Sequence, residues 1–414
     1  MPKMSQLSLN KKKIPILLLE GIHSNAVESF KAAGYENIEL LNTALEGQEL
    51  IDKLKDFKIV GLRSRTQLTK EVLEQSDHLI AIGCFCIGTN QVDLKTAQSL
   101  GIPVFNAPFS NTRSVAELVL AEAILLIRNV IDKNAKAHRG EWLKSADNAN
   151  EVRGKTLGIV GYGHIGMQLG VLAENIGLNV IFYDIEEKLP LGNACQVDSL
   201  ATLLQQSDVV SLHVPQLPTT ANMISTKEFA LMKQNAVLIN ASRGNVIDID
   251  ALVDALTSSK LKGAAIDVFP KEPSSKGEIF ESPLRGLDNV FLTLHIGGST
   301  IEAQENIATE VSAKLIKYSD NGSTLNAVNF SELSLPSHRE THRILHIHQN
   351  IPGIINELNR ILASKNINVE GQYLRTLENI GYVVMDIKSS SDEAKELIDE
   401  FKKVKATIKA HYLV

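Results

Sequence analysis

The chain has 414 residues, 44% hydrophobic and 22% charged, with a formal net charge of -6 and a pI near 6.0. That length is too great for one core and calls for two or three domains. The acidic balance argues against a broad nucleic-acid-binding face, and no segment has the length of a membrane span. Cys84, Cys86 and Cys195 make no disulfide framework; buried or half-buried thiols in a reducing compartment are expected. With no signal-peptide pattern at the N-terminus, the expected location is the cytoplasm.

In chain order, Ile14 to Leu19 reads as a buried strand, and Ala26 to Ala33 as a helix ended by Gly34. Ile59 to Leu62 and Leu79 to Gly83 read as further strands, and Val104-Phe105 follows Pro103. Strands separated by helices predict a parallel sheet covered on both faces. A long helix is expected from near Ser114, with Ser114 and Glu117 in a capping-box pattern. The polar stretch Arg139 to Glu151 reads as a loop. Its Trp142 either folds back on its own domain or forms a subunit contact.

From Lys155 the pattern restarts. Strands are expected at Leu157 to Val160, Val180 to Asp184, Val209 to Leu212, Val237 to Asn240, Gly263 to Asp267 and Val290 to Thr293, making a second doubly wound unit. After His295 comes a helix rich in Ala and Glu, up to about Ser319, then a polar linker from Asp320 to about Glu340 that reads as a hinge. The rest orders itself as strand (Arg343 to His348), helix (Gly353 to Ser364), strands (Asn368 to Thr376, Tyr382 to Ile387), helix (Ser391 to Lys403) and strand (Ile408 to Leu413). That order is ferredoxin-like.

Gly161-Tyr162-Gly163-His164-Ile165-Gly166 follows an apolar strand and opens a helix, and Asp184 ends the next strand 18 residues after Gly166 (184 − 166). Gly161 permits the tight turn, Gly163 lets a pyrophosphate approach the backbone, and Gly166 lets helix and strand pack closely. Asp184 suits the ribose hydroxyls and repels a 2′-phosphate, so NAD is favoured over NADP. Further along stand Asn240-Ala241-Ser242-Arg243-Gly244, Asp267-Val268-Phe269 with Glu272-Pro273, and His295-Ile296-Gly297-Gly298-Ser299-Thr300. An arginine grips a carboxylate with two prongs. A histidine moves a proton near neutral pH, and a glutamate beside it fixes its tautomer and raises its pKa. With a nicotinamide nearby, these parts suffice to interconvert a 2-hydroxy acid and a 2-oxo acid. Separately, Arg63-Ser64-Arg65-Thr66 follows a strand of the first unit, and two cations flanking a hydroxyl suit a phosphate.

On these motifs the chain resembles the D-2-hydroxyacid dehydrogenases, in the short form with a C-terminal ACT domain, over nearly its whole length. The resemblance implies an α/β protein of two doubly wound parallel-sheet domains, plus a ferredoxin-like ACT domain. The NAD-binding Rossmann domain (111–298) is inserted in a substrate domain (1–110 and 299–330), and the ACT regulatory domain occupies 340–414. It makes Arg243 the carboxylate anchor that polarises the reacting C2 oxygen, His295 the general acid/base and Glu272 its partner. Neutral His295 takes the hydroxyl proton as the C2 hydride passes to the nicotinamide.

Cofactor contacts are expected from Gly161, Gly163, His164, Ile165, Gly166, Asp184, Ala241, Ser242, Arg243, Asp267, His295, Ile296, Gly297 and Gly298, with Asp267 near the nicotinamide ribose or carboxamide. Arg63, Ser64 and Arg65, with Asn111 and Lys144 from the resemblance, are the expected substrate residues. The two arginines favour 3-phosphoglycerate over lactate or glycerate, and the resemblance implies a side reduction of 2-oxoglutarate, whose second carboxylate could use the same cations.

In the C-terminal unit the resemblance puts an L-serine effector beside His348, Asn350 and, across a domain interface, Asn368. Ile351 stands where serine-responsive relatives often carry a basic residue, so affinity or coupling is expected to differ. His346 and His348 share a strand face, but no Cys or carboxylate cluster completes a metal site. Pairing of ACT edges and of nucleotide domains implies a D2 homotetramer. The competing readings are a dehydrogenase of another small D-2-hydroxy acid and an NAD-sensing, corepressor-like binding protein.

Overall fold

The structure is a computed structural model that describes residues 11–142, 144–273, 277–336 and 341–413. The Glu340 end of the expected hinge and the outer limits of the expected first and last domains lie outside those residues. Internal contacts divide the chain into two compact units. One runs to Ser110 and resumes at Gln304; the other runs from Asn111 to Ala303.

The first unit contains a five-stranded sheet in the order Ile38–Leu40, Ile16–Leu18, Ile59–Leu62, Ala81–Cys84 and Val104–Phe105, all parallel. Ile16–Leu18, Ile59–Leu62 and Ala81–Cys84 are buried throughout, because helices cover both faces of a parallel sheet. The order reverses between Ile16–Leu18 and Ile59–Leu62. The carboxyl ends of those two strands therefore flank the crevice where open sheets bind ligands.

The second unit is a seven-stranded parallel sheet in the order Val290–Leu292, Leu261–Ile266, Ala236–Asn240, Val209–Leu212, Thr156–Val160, Asn179–Tyr183 and Cys195–Gln196. Its switch point lies between Thr156–Val160 and Val209–Leu212, and the glycine turn leaves the first of these. The expected long helix is Thr112–Ile127, two residues earlier than the capping-box pattern indicated, with Asn111 as N-cap. The Ser114 hydroxyl instead meets the Thr300 hydroxyl at 2.8 Å. Trp142 is 88% exposed and does not fold back on its unit.

The C-terminal elements form an antiparallel sheet in the order Asn368–Leu377, Ile380–Lys388, His342–Gln349 and Thr407–Tyr412, with helices Ile354–Ser364 and Ser391–Lys403. Side chains alternate across it. Ile344, Val383 and Met385 pack with Leu358 and Phe401 of the helices; Leu345, Ile347, Tyr382 and Val384 join the core of the first unit. The described part of the linker is likewise no free hinge. Phe330, Leu333 and Leu335 are buried in that core, and Arg343, paired with Asp386 at 2.6 Å, donates to the Asn321 and Pro336 carbonyls. The three cysteines are free; Cys84 is buried, but Cys195 is exposed, contrary to the expectation of sheltered thiols. Among the described residues no helix is long and apolar enough to cross a membrane.

Candidate active site

The dinucleotide turn is held by its glycines. Gly161 lies at φ 91°, and a Cβ there would meet the His213 carbonyl at 2.6 Å. A Cβ on Gly166 would stand 2.4 Å from the Gly161 oxygen. Gly163, by contrast, faces open space and caps helix His164–Asn175 with no side-chain hydrogen bond and no acid in the first turn. A helix N-terminus left open in this way suits an anionic pyrophosphate. Asp184 accepts the Tyr162 N–H at 2.8 Å and the Glu186 N–H at 3.1 Å. Its carboxylate stays half-buried at the strand end with lone pairs to spare for hydroxyl donors. Tyr162 is stacked on Phe182 at 3.8 Å, which fixes the turn against the strand. These residues fit NAD.

Three turns at the carboxyl edge of the same sheet bring Arg243, Glu272 and His295 into one electrostatic cluster. Asn240 ends its strand, and its side chain accepts from the Ser242 N–H and hydroxyl and donates to the Arg243 carbonyl at 3.0 Å, an Asx-type lock. Gly244 lies against the Phe269–Pro270 backbone so closely that a Cβ would stand 2.0 Å from the Phe269 carbonyl carbon. That contact sets the arginine turn beside the turn carrying Glu272. Glu272 accepts the Phe269 N–H at 3.1 Å and faces His295 Nδ1 with both oxygens, at 2.9 and 3.1 Å.

His295 is the pivot of the third turn. It has a left-handed backbone, φ 55°, and the buried Asp267 carboxylate accepts the Ile296 N–H, the Gly297 N–H and the Thr293 hydroxyl, at 2.8, 2.9 and 2.6 Å. Asp267 thus holds the histidine turn. The Glu272 hydrogen bond raises the His295 pKa above the ordinary imidazole value, outweighing burial and the opposing Arg243 charge, while the Glu272 and Asp267 charges add to the rise. For Glu272, burial acts upward, but His295, the Phe269 N–H and Arg243 together bring the carboxyl below its usual range. With Nδ1–H donated to a carboxylate, Nε2 is the ring atom left to exchange a proton.

Of the remaining expected residues in this unit, Asn111 is buried with its Oδ1 unpartnered, and a Cβ on Gly298 would overlap its amide at 2.0 Å. Lys144 is exposed, with no hydrogen bond to the described residues of the cluster. Sequence reasoning did not single out Glu122, on helix Thr112–Ile127. It is buried with both oxygens unpartnered, and burial together with the Asp267 charge pushes its pKa up to about 8.

In the first unit, the Arg63-Ser64-Arg65 loop leaves strand Ile59–Leu62 at the switch point. Arg65 and Ser64 are exposed and Arg63 half-buried, while the loop backbone turns inward onto Glu20, a residue the sequence reading did not single out. In the C-terminal sheet His348 is buried, its ring over Gly381, where a Cβ would stand 2.2 Å from Nε2. Asn350 follows it and is exposed. Asn368 is at the other end: it pairs with Lys388, and His348 pairs with Gly381, seven residues away along the same strand, about 23 Å at the strand rise. One chain therefore does not bring Asn368 to His348. Among the described residues no group of three or more His, Cys, Asp or Glu is placed to hold a metal.

An open glycine turn with an acid at the next strand end, and an Arg–Glu–His cluster on neighbouring strand ends, define an NAD-dependent dehydrogenase acting on 2-hydroxy acids. Comparison with known proteins agrees. Residues 120–297 match the family profile described as D-isomer specific 2-hydroxyacid dehydrogenase, NAD binding domain, and residues 344–409 match the AHAS small subunit-like ACT domain. The chain is 59% identical to a D-3-phosphoglycerate dehydrogenase of Haemophilus influenzae over 99% of both chains. It is 58% identical to the Escherichia coli K12 protein of that name, over 99% of this chain and 100% of the other. Among solved structures, D-2-hydroxyisocaproate dehydrogenase superposes with a TM-score of 0.68 at 27% identity, over 76% of this chain and 99% of that one. A D-lactate dehydrogenase of Aquifex aeolicus, solved with NAD and lactic acid, gives 0.63 at 27%, over 73% and 94%. The chain belongs to the D-isomer specific 2-hydroxyacid dehydrogenases, in the branch that carries D-3-phosphoglycerate dehydrogenases with a C-terminal ACT domain.

Proposed function

We propose that this NAD-dependent enzyme oxidises D-3-phosphoglycerate to 3-phosphohydroxypyruvate, the first step of L-serine biosynthesis. The observation that carries the substrate is the Arg63-Ser64-Arg65 loop at a switch point, in a chain 58–59% identical to enzymes named for this reaction. Arg243 holds the carboxylate and polarises the C2 oxygen. His295 Nε2 takes the C2 hydroxyl proton, and Glu272 stabilises the imidazolium that forms. When bound, NAD supplies the acceptor for the C2 hydride. Arg63 and Arg65 hold the phosphate, with Asn111 and Lys144 as further substrate contacts. The glycine turn, Asp184, the 241–243 segment, Asp267 and the 295–298 turn serve the cofactor.

We further assign residues 1–110 and 299–330 to the substrate domain, 111–298 to the NAD domain and 340–414 to regulation. L-Serine is the effector, held by His348 and Asn350 of one ACT unit and Asn368 of a second copy. That reading accounts for the distance between those residues in one chain, and it requires a homo-oligomer, by symmetry a homotetramer, in the cytoplasm. NADH absorbance tests the whole: D-3-phosphoglycerate with NAD at alkaline pH, and 3-phosphohydroxypyruvate with NADH, each with and without L-serine. Turnover suppressed by serine is expected. Activity on 2-oxoglutarate or pyruvate but none on the phosphorylated pair refutes the substrate, and activity indifferent to millimolar serine refutes the effector.

A further inference from the structure

Glu20 follows strand Ile16–Leu18, at the switch point of the five-stranded sheet and across it from the arginine loop. Its side chain is 2% exposed and its backbone is left-handed, φ 63°. One carboxylate oxygen accepts the N–H groups of Arg63 and Thr66, at 3.2 and 2.9 Å; the other accepts that of Arg65, at 3.0 Å. Arg65 Nε lies 3.8 Å from the same carboxylate. The loop is held from its carbonyl side as well. Buried Gln91 donates to the Arg63 carbonyl at 2.6 Å, and the Cys86 thiol lies 3.7 Å from that oxygen.

Converging backbone N–H groups at such a strand end form a nest that binds anions by itself. Here the resident carboxylate of Glu20 fills it. An incoming phosphate then finds the Arg63, Arg65 and Thr66 amides already taken and is read chiefly by side chains.

We propose that Glu20 is the specificity-positioning residue of the phosphate site: it occupies the backbone nest of the 63–66 loop and so fixes the side chains of Arg63, Ser64 and Arg65 as the phosphate receptor. The inference rests on the reading of Arg63 and Arg65 as the phosphate-binding pair. In Glu20→Gln the carboxamide presents an amino group to an N–H donor, so at least one loop amide is left unsatisfied and the charge beside Arg65 is gone. Glu20 touches neither NAD nor the reacting carbon.

The test compares 3-phosphohydroxypyruvate with hydroxypyruvate, the same acid without its phosphate, as substrates for NADH oxidation by the full-length enzyme. Glu20→Gln is expected to raise KM for the phosphorylated acid roughly tenfold or more, the scale of a lost charge-assisted hydrogen bond, with kcat at saturation within a factor of about two. On hydroxypyruvate kcat/KM is expected to stay within a factor of about three. Gln91→Ala, which frees the Arg63 carbonyl without changing charge, is expected to show the same split and serves if Glu20→Gln does not fold. Arg65→Ala is measured in parallel. If Arg65→Ala raises KM for the phosphorylated acid and neither Glu20→Gln nor Gln91→Ala does, this proposal is overturned while the arginine reading stands. If Arg65→Ala has no effect either, the arginine reading fails and takes the proposal with it. Equal losses on both substrates, tracking a lower melting temperature, would overturn it in favour of a purely structural carboxylate.

Discussion

Replacing Glu272 by glutamine isolates what its charge does for His295. The amide oxygen still accepts the Nδ1 proton, so the ring keeps its tautomer and orientation, but the negative charge 2.9 Å away is lost. A hydrogen bond to a charged group contributes about 1.5–3 kcal/mol. The His295 and Glu272 side chains are 53% and 36% exposed, so water screens the pair and the lower end applies. A cost of about 1.5–2 kcal/mol in the transition state, where the ring becomes imidazolium, is a fall in kcat/KM of roughly 10- to 30-fold.

The sign of the pH shift follows from the same contact. Glu272 raises the His295 pKa, so removing the charge lowers it. In the proposed mechanism oxidation needs neutral His295, and the acid limb of its kcat/KM profile moves to lower pH. Reduction needs the imidazolium, and its alkaline limb moves to lower pH as well. Profiles in both directions, followed by NADH absorbance, measure this. A variant with full kcat/KM and both limbs in place would show that the pair at 2.9 Å plays no part in proton transfer.

Asp184→Ala removes both the proposed ribose acceptor and the partner of the Tyr162 N–H; the NADH dissociation constant, read by fluorescence titration, is expected to rise about tenfold, with NADPH binding improved relative to NADH. Gly244→Ala drives a methyl into the Phe269–Pro270 backbone, which cannot yield as a side-chain tip does. A loss of stability of about 1–3 kcal/mol is expected by thermal melting, with activity falling further than stability because the Arg243 and Glu272 turns separate. His346 is buried, and burial, then the His348 charge, brings its pKa down to about 3. Unfolded, it would titrate near the ordinary value of about 6.5, so it stabilises the fold above that pH and the contribution is lost as pH falls toward 3. Melting temperature is expected to drop on acidification from neutrality, and less steeply in His346→Gln; identical slopes would count against the assignment.

The sequence disclosed the strand-and-helix order of the C-terminal sheet, with boundaries within two residues, because each apolar period there is long and bounded by turn residues. It singled out Arg243, Glu272 and His295, which the structure brings into one cluster, for a different reason: each stands in a motif at a strand end. What it hid were contacts between distant segments. Ser114 and Glu117 have the spacing of a capping box, yet the helix starts with Asn111 at the N-cap position, without a side-chain capping bond, and Ser114 answers to Thr300. The polar letters around Asn321-Gly322-Ser323 suggested a hinge, while Phe330, Leu333 and Leu335 a few residues on anchor the segment in a core. Glu20 is one acid after an apolar run. Nothing near it in the chain reveals the three amides, more than 40 residues on, that it accepts.

One device recurs at the carboxyl ends of these parallel strands, where loop N–H groups converge and draw negative charge. Asp267 takes the Ile296 and Gly297 amides and so presents His295; Asp184 takes the Tyr162 and Glu186 amides; Glu20 takes those of Arg63, Arg65 and Thr66. In each case an internal carboxylate turns an anion-binding nest into a rigid mount for a side chain or hydroxyl contact. Beyond Tyr162 the glycine turn is built differently, at the start of helix His164–Asn175. Its helix has no side-chain cap, no acid in its first turn and open space at Gly163. On the proposed function, the dinucleotide phosphates are expected at this uncapped helix N-terminus, and the substrate phosphate on the guanidinium groups of the loop that Glu20 holds. The two sites should therefore respond oppositely to Cβ and charge changes. Gly163→Ala should weaken NADH binding and leave KM for the phosphorylated acid alone; Glu20→Gln should do the reverse.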